Sequence, residues 1–197
     1  MRSVIVRPGR WHYVFLLFAG FCLGWYGYIY ADRVLYQNYR SWRFDREAAR
    51  NPITVLNHGY TPPPFSTIGR LSLPSLNISA MVQEGVDEDV LHRAVGHIPA
   101  TALPGQVGNM GLAGHRDTFF RGLRNVKARD QIRFTTADRE FYYEVESVAV
   151  VDPDDIEVLA SSQDKALTLV TCYPFYYVGS APKRFIVRAR QVSDSVR

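Results

Sequence analysis

The 197 residues are comfortable for one globular domain and short for two, and 47% hydrophobic against 21% charged residues excludes wholesale disorder. The net charge is +4, but Arg2, Arg7 and Arg10 stand in the first ten residues; subtracting those three leaves +1, too little basic excess for a nucleic-acid partner. Two cysteines, Cys22 and Cys172, exclude a disulfide framework and a cysteine-rich zinc site.

Taken in chain order, the first element is an apolar helix. No charged residue occurs over 11–31, WHYVFLLFAGFCLGWYGYIYA. Twenty-one residues of helix reach about 31 Å, the thickness of a bilayer core. Trp11 and Tyr13 sit at one end, and Trp25, Tyr26, Tyr28 and Tyr30 at the other, as interfacial rings do. The segment ends in YIYAD, a poor cleavage site, which favours a retained anchor over a signal peptide. The flanking arginines place the 1–10 segment in the cytoplasm and everything after the span outside it. Residues 32–50 carry many charges with no Pro or Gly and extend the helix. The composition then shifts: NPITVLNHGYTPPPF holds four prolines, and Pro62-Pro63-Pro64 is stiff and extended. Residues 32–66 therefore read as an extracytoplasmic stalk, 67–192 as the globular domain, and 193–197 as a tail.

Within that domain short strand signals dominate. Ile68–Leu73 and Leu76–Val82 are strand-like and separated by Pro74. Val86–Val95 reads as one helix, with Asp87 placed to cap it and Gly96 to end it. Asn109–Ala113, Gln131–Thr136, the alternating run through Phe141, Tyr143 and Val145, Leu167–Thr171 and Phe185–Ala189 follow as strands. The expected fold is mainly β: a closed barrel, which removes exposed edges, with one or two short helices after a transmembrane helix.

Three residues stand where chemistry is carried. Cys172 ends the run TLVTC just before Pro174, so its thiol lies at a strand end. It cannot easily pair with Cys22 in the bilayer, and a lone thiol outside the cytoplasm needs a reason. Its structural alternative is a buried, inert cysteine. An unperturbed thiol is only a few per cent thiolate near neutral pH, so a nucleophilic cysteine needs an imidazole or a cation beside it. His115, in GLAGHRDT, follows an apolar strand; His97, in VGHIP, competes with it. Arg184 opens the last strand twelve residues after Cys172, and a hairpin would return it to the thiol, where a cation stabilises an oxyanion. By itself it is indistinguishable from a surface arginine.

TLVTC, preceded by GLAGHRDT and followed by APKRFIVRA, resembles the sortases, membrane-anchored cysteine transpeptidases of bacterial surfaces. The histidine, cysteine and arginine come in family order, with 57 residues from His115 to Cys172. GHIPATALPGQVGN belongs to the same resemblance, which covers 67–192 and is nearest to class D. It implies an eight-stranded barrel, with Cys172 as the nucleophile that forms a thioacyl intermediate. His115 is then the general acid and base, and Arg184 the substrate-aligning and oxyanion-supporting group. The implied substrates are proteins with an LPxTG-like C-terminal signal, cleaved between its fourth and fifth residues and joined to an amine of a cell-wall precursor or a pilin lysine. The implied location is the bacterial cytoplasmic membrane, single-pass, with an extracytoplasmic catalytic domain. No cofactor or metal is expected: some class A sortases hold calcium with acidic residues before the histidine, whereas Gly96–Gly114 contains no Asp or Glu. Two other readings compete. An exported thiol transpeptidase acting on peptidoglycan usually carries a Ser-x-Gly-Cys-x-Arg setting, which TLVTCYPF lacks. A membrane-tethered binding barrel without catalysis leaves Cys172, His115 and Arg184 unexplained. The connection from Val151 to Lys165, VDPDDIEVLASSQDK, is expected to form a lid or groove wall.

Overall fold

A computed structural model describes residues 10–50 and 61–196. The chain divides into two compact units, residues 1–36 and 37–197. The expected cytoplasmic 1–10 segment, apart from Arg10, and the 51–60 part of the expected stalk lie outside the described residues. Helix α1 runs Arg10–Arg50, so the charged 32–50 stretch does continue the apolar helix. Among the described side chains, the large apolar ones from Trp11 to Tyr30 are solvent-exposed, as a lipid-facing helix requires, and the helix is long and apolar enough to cross a membrane.

The described residues of the second unit form eight strands: β1 Thr67–Leu73, β2 Ile78–Glu84, β3 Val95–His97, β4 Gly108–Ala113, β5 Gln131–Thr135, β6 Arg139–Val151, β7 Lys165–Tyr173 and β8 Lys183–Val196. They close into a barrel in the order β1-β2-β3-β4-β7-β8-β6-β5. Two neighbours are parallel, β2 with β3 and β4 with β7. Alternation along each strand sends one set of side chains inward: Leu71 and Leu73, Met110 and Leu112, Ile132 and Phe134, Phe141 and Tyr143, Leu167 and Leu169, Val187 and Ala189 are all buried in one core. The Tyr143 phenol lies in that core, and burial pushes its pKa above the ordinary range.

The Val86–Val95 helix is shorter than expected. Helix α2 covers only Glu88–Arg93, and Val95–His97 is strand β3. Asp87 does hold the N-cap position, but its side chain makes no capping hydrogen bond. Gly96 does not stop a helix; a Cβ there would come 2.3 Å from the Gly85 carbonyl oxygen, so glycine is what allows β3 to lie against the end of β2. Tertiary burial of Val95 at 0% exposure overrode the local periodicity.

Residues 37–46, read from sequence as stalk, belong to the same compact unit as the barrel. Phe44 is buried beneath the Arg70 guanidinium, which donates to Ser41 Oγ at 2.6 Å and pairs with Asp45 at 2.9 Å. Gln37 Oε1 accepts the Met81 amide at 2.9 Å, and its amide nitrogen donates to the Arg93 carbonyl.

Candidate active site

The site is built by register. Strand β7 lies between β4, parallel to it, and β8, antiparallel to it. Cys172 pairs directly with Arg184 across the β7–β8 ladder. On the other side Ala113 pairs with Val170, and the Gly114 amide extends the ladder by donating to the Val170 carbonyl at 3.1 Å. Thr171 Oγ1 donates to the Gly114 carbonyl at 2.7 Å. His115 follows Ala113 by two residues, as Cys172 follows Val170. Cys172 and Arg184 thus stand side by side on adjacent strands, which are about 4.8 Å apart, and His115 lies in the turn just beyond the end of β4.

Cys172 and Arg184 also share a face. With Met110 and Leu112, Leu167 and Leu169, and Phe185 and Val187 turned into the core, the alternate residues Gly111 and Ala113, Thr168, Val170 and Cys172, and Arg184 and Ile186 turn outward. Cys172 is a free thiol and half-buried. Arg184 Nη1 donates to the Ala181 and Lys183 carbonyls, at 3.2 and 3.1 Å, which fixes the guanidinium beside the strand end.

Local packing holds His115 at the rim. Its carbonyl accepts the Phe120 amide at 3.1 Å, closing the turn after β4. Phe120 is fully buried, and a Cβ on Gly114 would meet its ring at 2.9 Å, so glycine is needed where the turn folds onto β4. His115 Nε2 faces the exposed Glu88 carboxylate at 3.7 Å. The sequence reading missed Glu88, because only the crossover from β2 through α2 to β3 brings it to this rim. Next to His115, Arg116 donates to the Tyr177 and Gly179 carbonyls at 2.8 and 3.1 Å, tying the turn to the β7–β8 connection.

The competing histidine is elsewhere. His97 is 1% exposed; its Nδ1 meets the Glu84 carboxylate at 2.6 Å, and its Nε2 lies 3.1 Å from both the Ala102 carbonyl and Thr101 Oγ1. Thr101 commits its proton to the Ile98 carbonyl at 2.6 Å and accepts the Gly111 amide at 3.0 Å. Both ring nitrogens of His97 are therefore used inside the protein.

Two connections border the outward face. Strand β6 ends at Val151, level with Arg184, while β7 starts at Lys165, far from Cys172. Residues 152–164 must therefore travel the length of β7, and they do so over its outer face, with Leu159 against Gly111. The β7–β8 connection exposes Tyr176, Tyr177 and Val178 at the Cys172 end. The two connections make the outward face a groove floored by small and apolar residues, with Cys172 and Arg184 at one end and His115 in the turn beyond β4. These residue types suit acyl transfer: a nucleophile, a proton carrier and a fixed cation for a developing oxyanion. Among the described residues no group of three His, Cys, Asp or Glu side chains is placed to hold a metal ion.

The family model described as "Sortase domain" matches residues 71–192. The chain belongs to the sortase family. It is 38% identical over 135 residues to Sortase D of Bacillus subtilis, the match covering 68% of each chain. A Clostridium perfringens Sortase D5 transpeptidase structure is similar at a TM-score of 0.69 and 25% identity, covering 82% of this chain and 98% of that one. Sortase E1 from Streptomyces coelicolor, solved with a tripeptide in its active site, is similar at a TM-score of 0.62 and 29% identity, covering 70% of this chain and 94% of that one. The eight-stranded barrel is thus a sortase barrel, and the expected likeness to class D holds. As a sortase the chain is a cysteine transpeptidase, a class that acts on proteins carrying sorting signals and on amine acceptors and that is anchored to membranes.

Proposed function

We propose that Cys172, His115 and Arg184 carry the sortase reaction in this chain. The observation that supports this is the strand register, which sets Cys172 beside Arg184 across β7 and β8, with His115 in the turn that follows the paired Ala113 of β4. The Cys172 thiolate attacks the carbonyl carbon of the scissile peptide bond. The oxyanion forms beside Arg184, whose planar fork of donors suits it. The carbon–nitrogen bond breaks as His115 gives its proton to the leaving amine, and a thioester remains on Cys172. An incoming amine attacks that thioester, loses a proton to His115 and expels the thiolate. One peptide bond has been exchanged for another amide, with no net oxidation. Water in place of the amine gives hydrolysis, the chain's peptidase side reaction.

The substrates in this reading are proteins bearing an LPxTG-like C-terminal signal, cleaved between its fourth and fifth residues. The acceptor is a cell-wall precursor amine or a pilin lysine. Residues 11–31 cross the cytoplasmic membrane once, with the N-terminus in the cytoplasm, the barrel outside and no metal or cofactor required. The test uses the full chain in detergent with a pool of LPxTG-like peptides, with and without an added amine, read by mass spectrometry. The expected result is an acyl adduct on Cys172 that the amine discharges into a new amide. An unmodified Cys172 that also resists an alkylating reagent would overturn the reading in favour of a tethered binding barrel.

A further inference from the structure

The 152–164 connection spans the whole groove, yet the 3-10 turn at its centre, Ile156–Leu159, has no buried residue. Ile156 is 78% exposed. A segment of that kind has little hydrophobic anchorage and, without another tether, opens easily. Besides the Lys183–Asp152 ion pair at its first residue and Leu159 against Gly111, its tether is polar and comes from the groove floor. Asn109, at the start of β4, is 2% exposed although it faces away from the core. Its amide nitrogen donates to the Val158 carbonyl at 3.1 Å and to the Ala160 carbonyl at 3.3 Å. Its amide oxygen accepts the Thr168 hydroxyl of β7 at 2.8 Å. The orientation of the amide is fixed by its partners, because two carbonyls require donors and the hydroxyl has a proton to give. Thr168 is fully buried by this arrangement. One side chain thus joins β4, β7 and the middle of the connection.

We propose that Asn109 is a positioning residue for the sorting peptide: its amide, braced by Thr168, staples the 152–164 connection over the groove floor and so holds the groove wall in its peptide-binding position. The staple lies about six residues from His115 along β4, too far to touch the reacting bond, roughly 20 Å at about 3.3 Å per residue. Its effect therefore falls on peptide binding and not on the chemical step. The inference rests on the groove being the peptide site proposed above.

The test is Asn109→Asp in the full chain, a replacement of equal shape that turns an oxygen toward two carbonyls where the amide donated. The expected result is a KM for the signal peptide raised about tenfold, as for a loss of ~1.4 kcal/mol, with kcat nearly unchanged. A glutamate-specific protease should cut after Glu157 faster than in the parent, while cleavage elsewhere stays the same. That second readout needs no turnover, so it tests the staple even if the parent transfers no peptide in the pool, an outcome that would count against the proposed function alone. If Asn109→Asp does not fold, Thr168→Val removes only the bracing hydroxyl and should move both readouts in the same direction by about threefold. An unchanged KM and an unchanged cut at Glu157 would overturn the proposal. So would a fall in kcat at constant KM.

Discussion

The barrel has two places where strand edges or faces meet polar side chains, and they are finished differently. Beside β2, strand β3 reaches only Val82–Glu84, so the earlier residues of β2 lack a strand on that side. There the structure fills the gap: Gln37 takes the Met81 amide, and the His97–Glu84 pair is sealed at 1% and 6% exposure. At the end of β7 and β8, by contrast, Cys172 and Arg184 are left half-buried, as is His115 in the turn after β4. A buried polar group without a partner costs free energy, so a fold satisfies its polar groups where it only needs to stand and leaves them accessible where it needs to react. The two histidines of the second unit that flank β4 make the contrast in one residue type: His97 has both ring nitrogens committed, and His115 faces the groove rim.

Mutation breaks this comparison most sharply at the groove end. Cys172→Ala should abolish transpeptidation while leaving the thermal unfolding midpoint close to the parent, because only a half-buried sulfur at a strand end is removed. Turnover above background by mass spectrometry would remove Cys172 from the mechanism. His115→Ala should act the same way, inactive but folded. His97→Ala should do the reverse. It leaves the Glu84 carboxylate buried without its partner, a loss of about 3–5 kcal/mol, read as a lowered denaturation midpoint. If the two histidine variants exchanged these phenotypes, the assignment of roles would be inverted.

Arg184→Lys is a smaller change at the same groove end. The charge remains, but a compact ammonium cannot reproduce a planar fork held by two carbonyls. A fall in kcat of about tenfold to a hundredfold is expected, the usual scale for a weakened oxyanion donor. Equal kinetics would return Arg184 to the surface-arginine reading.

How much of this was legible without coordinates depends on range. The apolar helical run beginning at Trp11, the core alternation in Phe141, Tyr143 and Val145, and the stop at Pro174 are local signals, and a helix and two strands follow them. The Cys172–Arg184 juxtaposition was also within reach, because a hairpin converts sequence spacing into register. Glu88 and Asn109 were not. Each owes its position to a connection that crosses between parallel strands, and hydrophobic periodicity does not encode where such a crossover lands. Asn109 did leave one trace: a polar residue opening the short apolar run NMGLA, where burial calls for a partner. The shortened α2 has the same origin, since Val95 is a strand residue only because β2 is there to receive it.

The smallest effect expected is at the seam, and it sharpens the comparison from the other side. Gln37→Ala removes the side chain that accepts the Met81 amide and donates to the Arg93 carbonyl. Two backbone groups lose a partner that water only partly replaces, a loss of about 1–2 kcal/mol. For a chain of this size that lowers the unfolding midpoint by roughly 2–8 °C. The groove keeps its residues, so kcat and KM measured well below the midpoint should match the parent. A chain started at residue 51 loses Gln37 together with Ser41, Phe44 and Asp45, and Arg70 then loses its partners on the helix. Its midpoint should therefore fall further than that of Gln37→Ala. If instead the shortened chain melted with the parent, 37–46 would be a stalk that merely rests on the barrel, and the seam would be closed by the strands alone.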